Sequence, residues 1–223
     1  MSMRVESRGY CTSLWPVADH AFETVSSETV YEGSILALRV DQVRMPGGGT
    51  ARREVVEHYG AVAVAAVDRD LRLAMVYQYR HPVGHRLWEL PAGLLDAAHE
   101  DPLATAQREL QEEAGLAATD WRVLVDTASS PGFSDESVRT YLARDLSEVD
   151  RPEPEEEEAD LSLHWFSLED AAAMVLAGEI VNASAAAGVL AAYAAVIDAK
   201  PTRPVDASWR DRPFTFARRR AGR

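Results

Sequence analysis

Three carboxylates near the end of a predicted helix constrain this chain more than any other feature of its sequence. A start signal at Asp101 and a stop signal at Gly115 predict the helix between them. Its last turns contain Glu109, Glu112 and Glu113, whose Cβ atoms lie about 5–6 Å apart at helical spacing. Like charges at this spacing repel each other. The helix dipole also disfavours anions at this end of the helix, at a cost of about 0.3–1 kcal/mol for each carboxylate. The cluster therefore destabilises the helix that carries it.

Two interpretations of this cluster compete. In the first, it is a solvated acidic face on which Arg108 offsets Glu112 at i,i+4 spacing. In the second, it binds a hard cation, because Mg²⁺ and Mn²⁺ prefer oxygen ligands and turn the repulsion into attraction. A glycine turn precedes the helix, and a Pro-Gly loop and an acidic loop follow it. A destabilising cluster of carboxylates beside such loops is typical of a functional site. This favours the interpretation in which the cluster binds a cation.

The rest of the chain predicts strands, a helix, more strands and then helices. β-Branched residues predict a strand over residues 35–45, and three glycines after it predict a turn that returns residues 53–58 antiparallel to residues 38–44. The apolar runs 61–67 and 71–79, separated by a charged turn, predict a second hairpin. Because regular βαβ alternation is missing, we expect an α+β fold with mixed sheets.

Charge and composition exclude several classes of protein. The 223 residues carry a formal net charge of −13, so a nucleic-acid partner is not expected. A single cysteine, Cys11, excludes an intramolecular disulfide framework and fits a reducing compartment. The only lysine, Lys200, precedes a proline, which excludes a P-loop. Since no signal peptide or spanning segment is recognisable, we expect a cytoplasmic protein without a membrane partner.

The C-terminal residues are basic although the chain as a whole is acidic. Residues 202–223 contain seven arginines and two aspartates. We expect a solvated arm that folds against the acidic body or against a partner subunit.

A longer pattern around the acidic helix resembles a known family. Gly93, six intervening residues, Glu100, seven more residues and the run Arg-Glu-Leu-Gln-Glu-Glu-Ala-Gly-Leu at 108–116 closely resemble the Nudix box of the Nudix hydrolases. The family pattern has five residues in its first interval, so this chain carries a one-residue insertion there. Residues 53–62, 78–80, 90–94 and 130–132 also resemble the ADP-ribose pyrophosphatase branch, with similarity over about residues 22–204.

The resemblance implies a fold and an assembly. It implies an α/β/α sandwich around mixed sheets, preceded by an antiparallel β segment that is exchanged between the subunits of a homodimer. On this basis we divide the chain into an N-terminal arm (1–25), an N-terminal β segment (26–58), a Nudix domain (59–200) and a basic C-terminal tail (201–223).

The resemblance also implies the reaction and its cofactor. It implies divalent-metal-dependent hydrolysis of the pyrophosphate bond of ADP-ribose, giving AMP and ribose 5-phosphate, with Mg²⁺ or Mn²⁺ as cofactor. Glu109 and Glu113 match the principal metal ligands, Glu112 matches a further ligand, and the carbonyl of Ala92 matches a backbone ligand. Arg108 matches an arginine that orients a neighbouring carboxylate.

The remaining site residues follow from the same resemblance. The general base is expected on the later acidic loop, at Glu158 or at the neighbouring Glu157. Arg80 resembles a phosphate-binding arginine, Arg53 a residue on the adenosine side, and Glu136 a residue that faces the terminal ribose.

Other functions stay open at the level of sequence. Another nucleoside diphosphate derivative, such as a nucleotide sugar or NADH, or an oxidised nucleotide, is the main alternative substrate. A catalytically silent Nudix domain that senses a ligand, or an acidic interaction module without metal, is disfavoured because the full set of box carboxylates is present.

Overall fold

The computed structural model describes residues 20–96, 100–153 and 160–222. The strands are β1 (Thr24–Glu32), β2 (Leu36–Arg44), β3 (Thr50–His58), β4 (Ala61–Ala66), β5 (Arg72–Arg80), β6 (His85–Glu89), β7 (Ala92–Leu94), β8 (Leu116–Ala128), β9 (Ser137–Glu148) and β10 (Ser162–Ser167). The helices are α1 (Pro102–Ala114), α2 (Leu168–Ala177), α3 (Ala183–Val196) and α4 (Thr215–Ala221). Most residues of the predicted N-terminal arm, 1–19, lie outside the described residues.

The N-terminal segment forms its own antiparallel sheet in the order β1-β2-β3. Gly47 and Gly48 have φ values of 97° and 93°, in the left-handed region that favours glycine, and they turn the chain from β2 into β3. The register pairs Leu38 with Val56 and Arg44 with Thr50. The predicted antiparallel pairing of these two strands is therefore confirmed.

A mixed sheet at the centre of the molecule carries helices on both faces. Its order is β7-β4-β9-β8, and β4 is parallel to β9 and antiparallel to β7. Side chains alternate along β4, because successive residues of a strand point to opposite faces. Val62 and Val64 pack with α1, whereas Ala63 and Ala65 pack on the side of α2 and α3. These layers confirm the predicted α+β sandwich with mixed sheets.

The predicted hairpin between residues 61–67 and 71–79 is wrong. β5 lies in a different sheet, of order β10-β5-β6, and one isolated bridge joins its Leu73 to Val67, the residue after β4. The two strands part after the turn at Asp68 because each pairs with strands distant in sequence. An apolar run on both faces fits a buried strand in either arrangement, so the pattern alone does not reveal the partner.

The basic tail folds against the body rather than lying in solvent. Phe216 of α4 is fully buried against Ala37 and Tyr59, with the rings of Phe216 and Tyr59 4.6 Å apart in edge-to-face geometry. Of the two forms of the prediction, an arm folded against the acidic body agrees with these contacts. No helix within the described ranges is long and apolar enough to cross a membrane.

Candidate active site

Helix α1 places the acidic cluster of the sequence beside the central sheet. The Asp101 carboxylate caps its first turn by accepting a hydrogen bond from the backbone N–H of Leu103 at 2.9 Å. At the other end Gly115 adopts φ 65°, and its N–H donates to the last carbonyls of the helix. Both predicted ends of the helix are therefore observed.

Glu109 is buried against a glycine of the preceding loop. Its residue surface is 8% exposed, although a carboxylate normally remains in water. A Cβ atom at Gly93 would lie 2.0 Å from Oε1 and 2.1 Å from Cδ of Glu109. Position 93 therefore has to be glycine for this carboxylate to occupy its place.

Glu113, one turn further along, is buried against the same loop. Its residue surface is 5% exposed, and Oε2 accepts a hydrogen bond from the backbone N–H of Ala92 at 2.9 Å. Ala92 lies in β7, next to Gly93, and its Cα is paired with that of Ala63 in β4. The structure thus brings Ala92 together with Glu109 and Glu113. Ala92 is 17 positions from Glu109 in the sequence.

Arg108 connects the other carboxylates of the pattern. Its Nη1 lies 2.7 Å from Glu109 Oε1 and 2.7 Å from Glu112 Oε2, and its Nη2 lies 3.4 Å from Glu100 Oε2. Partial burial alone would lower the pKa of the Arg108 guanidinium, but the carboxylates of these three residues raise it above its ordinary value. The single guanidinium group of Arg108 thus contacts three of the four carboxylates of the pattern.

Glu100 is fixed from two directions despite the insertion that precedes it. Its Oε2 accepts from the Thr105 hydroxyl at 3.0 Å as well as from Arg108. Although burial alone would raise the pKa of the Glu100 carboxyl, the bonds from Arg108 and Thr105 lower it. The inserted loop itself, residues 97–99, lies outside the described residues.

The residues on α1 and β7 fit a divalent cation in chemistry. Glu109 and Glu113 are buried carboxylates on one helix face, and a hard cation prefers such oxygen ligands. Over residues 20–96, 100–153 and 160–222, no three acidic, histidine or cysteine side chains stand in the arrangement of a metal site. In this structure Glu113 accepts a hydrogen bond from Ala92, while Glu109 and Glu112 bind Arg108.

Arg80, the predicted phosphate ligand, is held by a buried glutamate. Its Nε and Nη2 donate to Glu89 Oε1 and Oε2 at 3.0 and 2.8 Å, a two-point pair that fixes the plane of the guanidinium. Glu89 is only 3% exposed and ends β6, three residues before Ala92. Sequence reasoning missed Glu89, although an acidic residue inside an apolar run is the signal that would have found it.

The other two predicted substrate residues, Arg53 and Glu136, lie before and after the box in the sequence. Arg53 is exposed on β3, where it donates to the carbonyl of Arg52 at 2.8 Å and lies 3.9 Å from Met45 Sδ. These contacts stay within the N-terminal sheet. Glu136 lies at the end of the loop between β8 and β9, where Oε1 is 3.7 Å from His58 Nδ1. This contact with His58 joins positions 78 residues apart and is not indicated by any sequence pattern.

The predicted general bases, Glu157 and Glu158, lie outside the described residues. The segment that leads to them is fastened to the end of α1. Arg151 Nε donates to the carbonyl of Glu112 at 2.6 Å, and Gln111 Nε2 donates to the carbonyl of Asp150 at 3.0 Å. Residues 150 and 151, just before the acidic residues 153–160, therefore lie beside the C-terminal end of α1.

Comparison with known families decides what this arrangement is. The NUDIX domain family matches residues 57–186, more than half of the chain. The chain belongs to the Nudix hydrolase family. Residues 22–56 of this Nudix hydrolase match the nucleoside diphosphate sugar hydrolase N-terminal domain. Nudix hydrolases generally need divalent metal ions, in agreement with the carboxylates on α1.

Characterised relatives cover most of this Nudix hydrolase. An ADP-ribose pyrophosphatase of Mycobacterium tuberculosis is 60% identical over 207 residues, which are 93% of this chain and 100% of the relative. An ADP-ribose pyrophosphatase of Bacillus subtilis is 37% identical over 74% of this chain and 88% of the relative. A crystal structure of an ADP compounds hydrolase superposes with a TM-score of 0.69 at 18% identity, covering 82% of this chain and 98% of that one. At this identity the last likeness supports the fold alone.

Proposed function

We propose that this Nudix hydrolase cleaves the pyrophosphate bond of ADP-ribose and releases AMP and ribose 5-phosphate. The observation that carries the proposal is the pair of buried carboxylates, Glu109 and Glu113, packed against Gly93 and Ala92. Buried carboxylates are costly unless a cation or donor compensates them, so their position supports binding of cations and a diphosphate. The relatives named above support ADP-ribose as the substrate.

We further propose Mg²⁺ or Mn²⁺ as the cofactor. Glu109, Glu112 and Glu113 would hold it with their carboxylates, together with the carbonyl of Ala92. When bound, the ion would neutralise charge on the diphosphate and make a bound water more acidic. Arg108 positions Glu109 and Glu112 through the 2.7 Å contacts, so the ligands are oriented before substrate arrives.

The substrate is held by residues on both sides of the box. Arg80 binds a phosphate, and Glu89 fixes the plane of its guanidinium through two hydrogen bonds. Glu136 binds the terminal ribose, and Arg53 contributes to the adenosine side. Glu158, with Glu157 as the alternative, accepts the proton of the attacking water. The anchoring of Arg151 at Glu112 supports this role, because it starts the acidic loop next to the site.

A homodimer with exchanged N-terminal segments is part of the proposal. The N-terminal segment exposes several large apolar side chains: Phe22, Val25, Val30, Tyr31 and Ile35. Several exposed large apolar side chains on one segment favour an interaction surface, so a second copy of the chain is its expected cover. In that arrangement residues 56–58 keep their contacts with residues 133–135 of their own chain.

A nucleoside diphosphate sugar is the second candidate substrate. The observation in its favour is the match of residues 22–56 to the nucleoside diphosphate sugar hydrolase N-terminal domain. The box fixes which bond is cleaved, whereas the flanking segments select the group attached to the diphosphate.

The test is a product assay with ADP-ribose, ADP-glucose and NADH, each with Mg²⁺, with Mn²⁺ and with EDTA. We expect equimolar AMP and ribose 5-phosphate from ADP-ribose at the highest kcat/KM, and no turnover with EDTA. A higher kcat/KM for ADP-glucose would make ADP-glucose the assigned substrate. Turnover without metal would contradict the assignment of the metal site.

A further inference from the structure

The basic tail binds the strands on either side of the loop that carries Glu136. This loop, residues 129–136, joins β8 to β9. Arg203, at the start of the tail, exchanges backbone hydrogen bonds with Val123 of β8 at 2.9 and 3.1 Å. Its Nη1 also donates to Asp126 Oδ2 at 2.8 Å. The first tail residues therefore extend the sheet next to the strand that enters the loop.

A buried arginine connects both strands of this hairpin to the tail. Arg139 of β9 is 4% exposed and binds Asp126 of β8 through two hydrogen bonds, at 2.7 and 3.0 Å. Its Nη1 and Nη2 also donate to the tail carbonyls of Ala207 and Ser208, at 2.8 and 3.1 Å. All three guanidinium nitrogens are thus engaged, so the two strands and the tail are fixed to each other.

Trp209 of the tail contacts Ser137, the residue directly after the loop. Its Nε1–H donates to the hydroxyl of Ser137 at 3.0 Å. The guanidinium of Arg139 lies over the Trp209 ring, 4.9 Å from the centroid. Ser137 is buried and begins β9 directly after Glu136.

Helix α4 acts on the loop indirectly, because it binds the end of β3, and β3 contacts the loop. Arg219 donates to both carboxylate oxygens of Glu57, at 2.9 and 3.1 Å, and Glu57 is fully buried. Arg39 Nη1 donates to the same carboxylate at 2.6 Å. A buried carboxylate between two guanidinium groups, next to the buried Phe216, holds the end of β3 firmly.

The end of β3 in turn holds the loop through backbone hydrogen bonds. The N–H of Val56 donates to the carbonyl of Phe133 at 2.7 Å, and the N–H of Asp135 donates to the carbonyl of Val56 at 3.1 Å. The N–H of His58 donates to Asp135 Oδ1 at 2.8 Å. The loop therefore lies against a strand that α4 fixes in place.

The tail leaves the ligand-facing part of the loop open. A cavity of about 500 Å³ separates Pro131 and Glu136 of the loop from Arg212, Phe214 and Arg218 of the tail. The Glu136 side chain stays 32% exposed. The tail thus holds the loop at its base and leaves Glu136 accessible to a ligand.

We infer that the basic tail is a positioning element of the substrate site, which sets the place of Glu136 by fixing both attachments of loop 129–136. The inference rests on the proposed function, in which Glu136 binds the terminal ribose. Trp209 and Arg219 are its central positioning residues. Their loss lets the loop shift, which weakens the binding of substrate while the carboxylates on α1 stay in place.

The test compares Trp209→Phe and Arg219→Gln with the matched control Arg220→Gln. Trp209→Phe keeps an aromatic ring near Arg139 and removes the hydrogen bond to Ser137, together with part of the packing of the ring against the core. Arg220 is exposed on the same helix and has no hydrogen bond or ion pair to a described residue. We expect KM for ADP-ribose to rise about 5–10-fold in the two test variants, with kcat within about twofold, and no change in the control.

Amide hydrogen exchange separates positioning from general stabilisation and does not depend on turnover. In both test variants we expect about tenfold faster exchange over residues 129–137, with exchange in α1 unchanged. Unaltered KM and unaltered exchange in the loop, with only a lower melting temperature, would overturn the inference. If the wild-type chain does not hydrolyse ADP-ribose, the proposed function fails, and the exchange measurement still decides whether the tail holds the loop.

Discussion

Gly93 lies so close to Glu109 that a methyl group at position 93 would occupy the place of the carboxylate. The distance from a Cβ at this position to Glu109 Oε1 is 2.0 Å, far below van der Waals contact. We expect Gly93→Ala to displace Glu109 and to lower kcat/KM about 10²-fold, because misplacement by 1 Å suffices for such a loss. Gly49→Ala is the matched control, since nothing lies within 4 Å of a Cβ there. Equal activity of both variants would contradict the role of this contact.

Removing one negative charge from the box separates catalysis from folding. We expect Glu109→Gln and Glu113→Gln to lose metal-dependent turnover by about 10²-fold or more, because an amide replaces an anionic ligand of the cation. Glu109→Gln weakens the ion pair with Arg108 but also removes repulsion within the acidic cluster, and the amide oxygen in Glu113→Gln can still accept from Ala92, so the free energy of unfolding should fall only modestly. Urea denaturation without metal measures this quantity, and Glu169→Gln, on the exposed first turn of α2, serves as control. Wild-type turnover in both box variants would refute the assignment.

The choice of general base is tested on the acidic loop. We expect Glu158→Gln to lower kcat about 10²-fold while the affinity for Mn²⁺ stays within about twofold, because a base acts on the proton and not on the cation. Glu157→Gln, one position away, is the matched comparison. Calorimetry with Mn²⁺ and a turnover assay on each variant measure the two quantities. A larger kcat loss in Glu157→Gln would move the role to that residue.

Glu89 is expected to act on substrate binding through Arg80. Glu89→Gln keeps the shape of the side chain but cannot accept both hydrogen bonds, so the guanidinium loses its fixed plane. We expect KM for ADP-ribose to rise about tenfold with a smaller change in kcat. Arg80→Lys should reproduce the effect, since an ammonium group cannot make a two-point pair. An unchanged KM in both variants would show that the pair serves stability alone.

Local chemistry explains which parts of the fold the sequence predicts. The ends of α1 were predictable because Asp101 caps the helix and Gly115 supplies a left-handed stop, and both act within one turn. The turn at Gly47 and Gly48 is likewise local. The separation of β4 from β5 was not predictable, because it depends on pairing with β9 and β10, which are distant in sequence.

In the candidate site, too, local spacing was predictable from the sequence, whereas long-range contacts were not. Glu109, Glu112 and Glu113 share one helix, so spacing alone places them together. Their contacts with Ala92 and Gly93, and the pairing of Arg80 with Glu89, depend on how strands of different sheets approach each other. The charge of the tail was evident from its arginines, but their partners, Asp126 and Glu57, lie 77 and 162 positions away.

The last prediction concerns pH and the ion pairs of Asp126. Burial alone would raise the pKa of the Asp126 carboxyl, but Arg139 and Arg203 lower it below its ordinary value. A carboxyl whose pKa is lower in the folded state stabilises the fold above its unfolded pKa of about 3.9. That contribution is lost as the pH falls through the folded pKa. Wild-type stability should therefore decline on the acid side.

Asp126→Asn should remove this part of the pH dependence. Near pH 7 we expect the variant to be less stable by about 1–3 kcal/mol, because buried donors of Arg139 lose their anionic acceptor. Below about pH 3.9 the unfolded state takes up a proton on Asp126 before the folded state does, so the difference between the two proteins should shrink as the pH approaches the lowered folded pKa. Urea denaturation from pH 3 to 7 measures both curves. Asp120→Asn is the control, because its pair with Arg122 at 3.5 Å is exposed and contributes little. A constant difference between wild type and Asp126→Asn at every pH would mean that the stability lost is packing rather than charge.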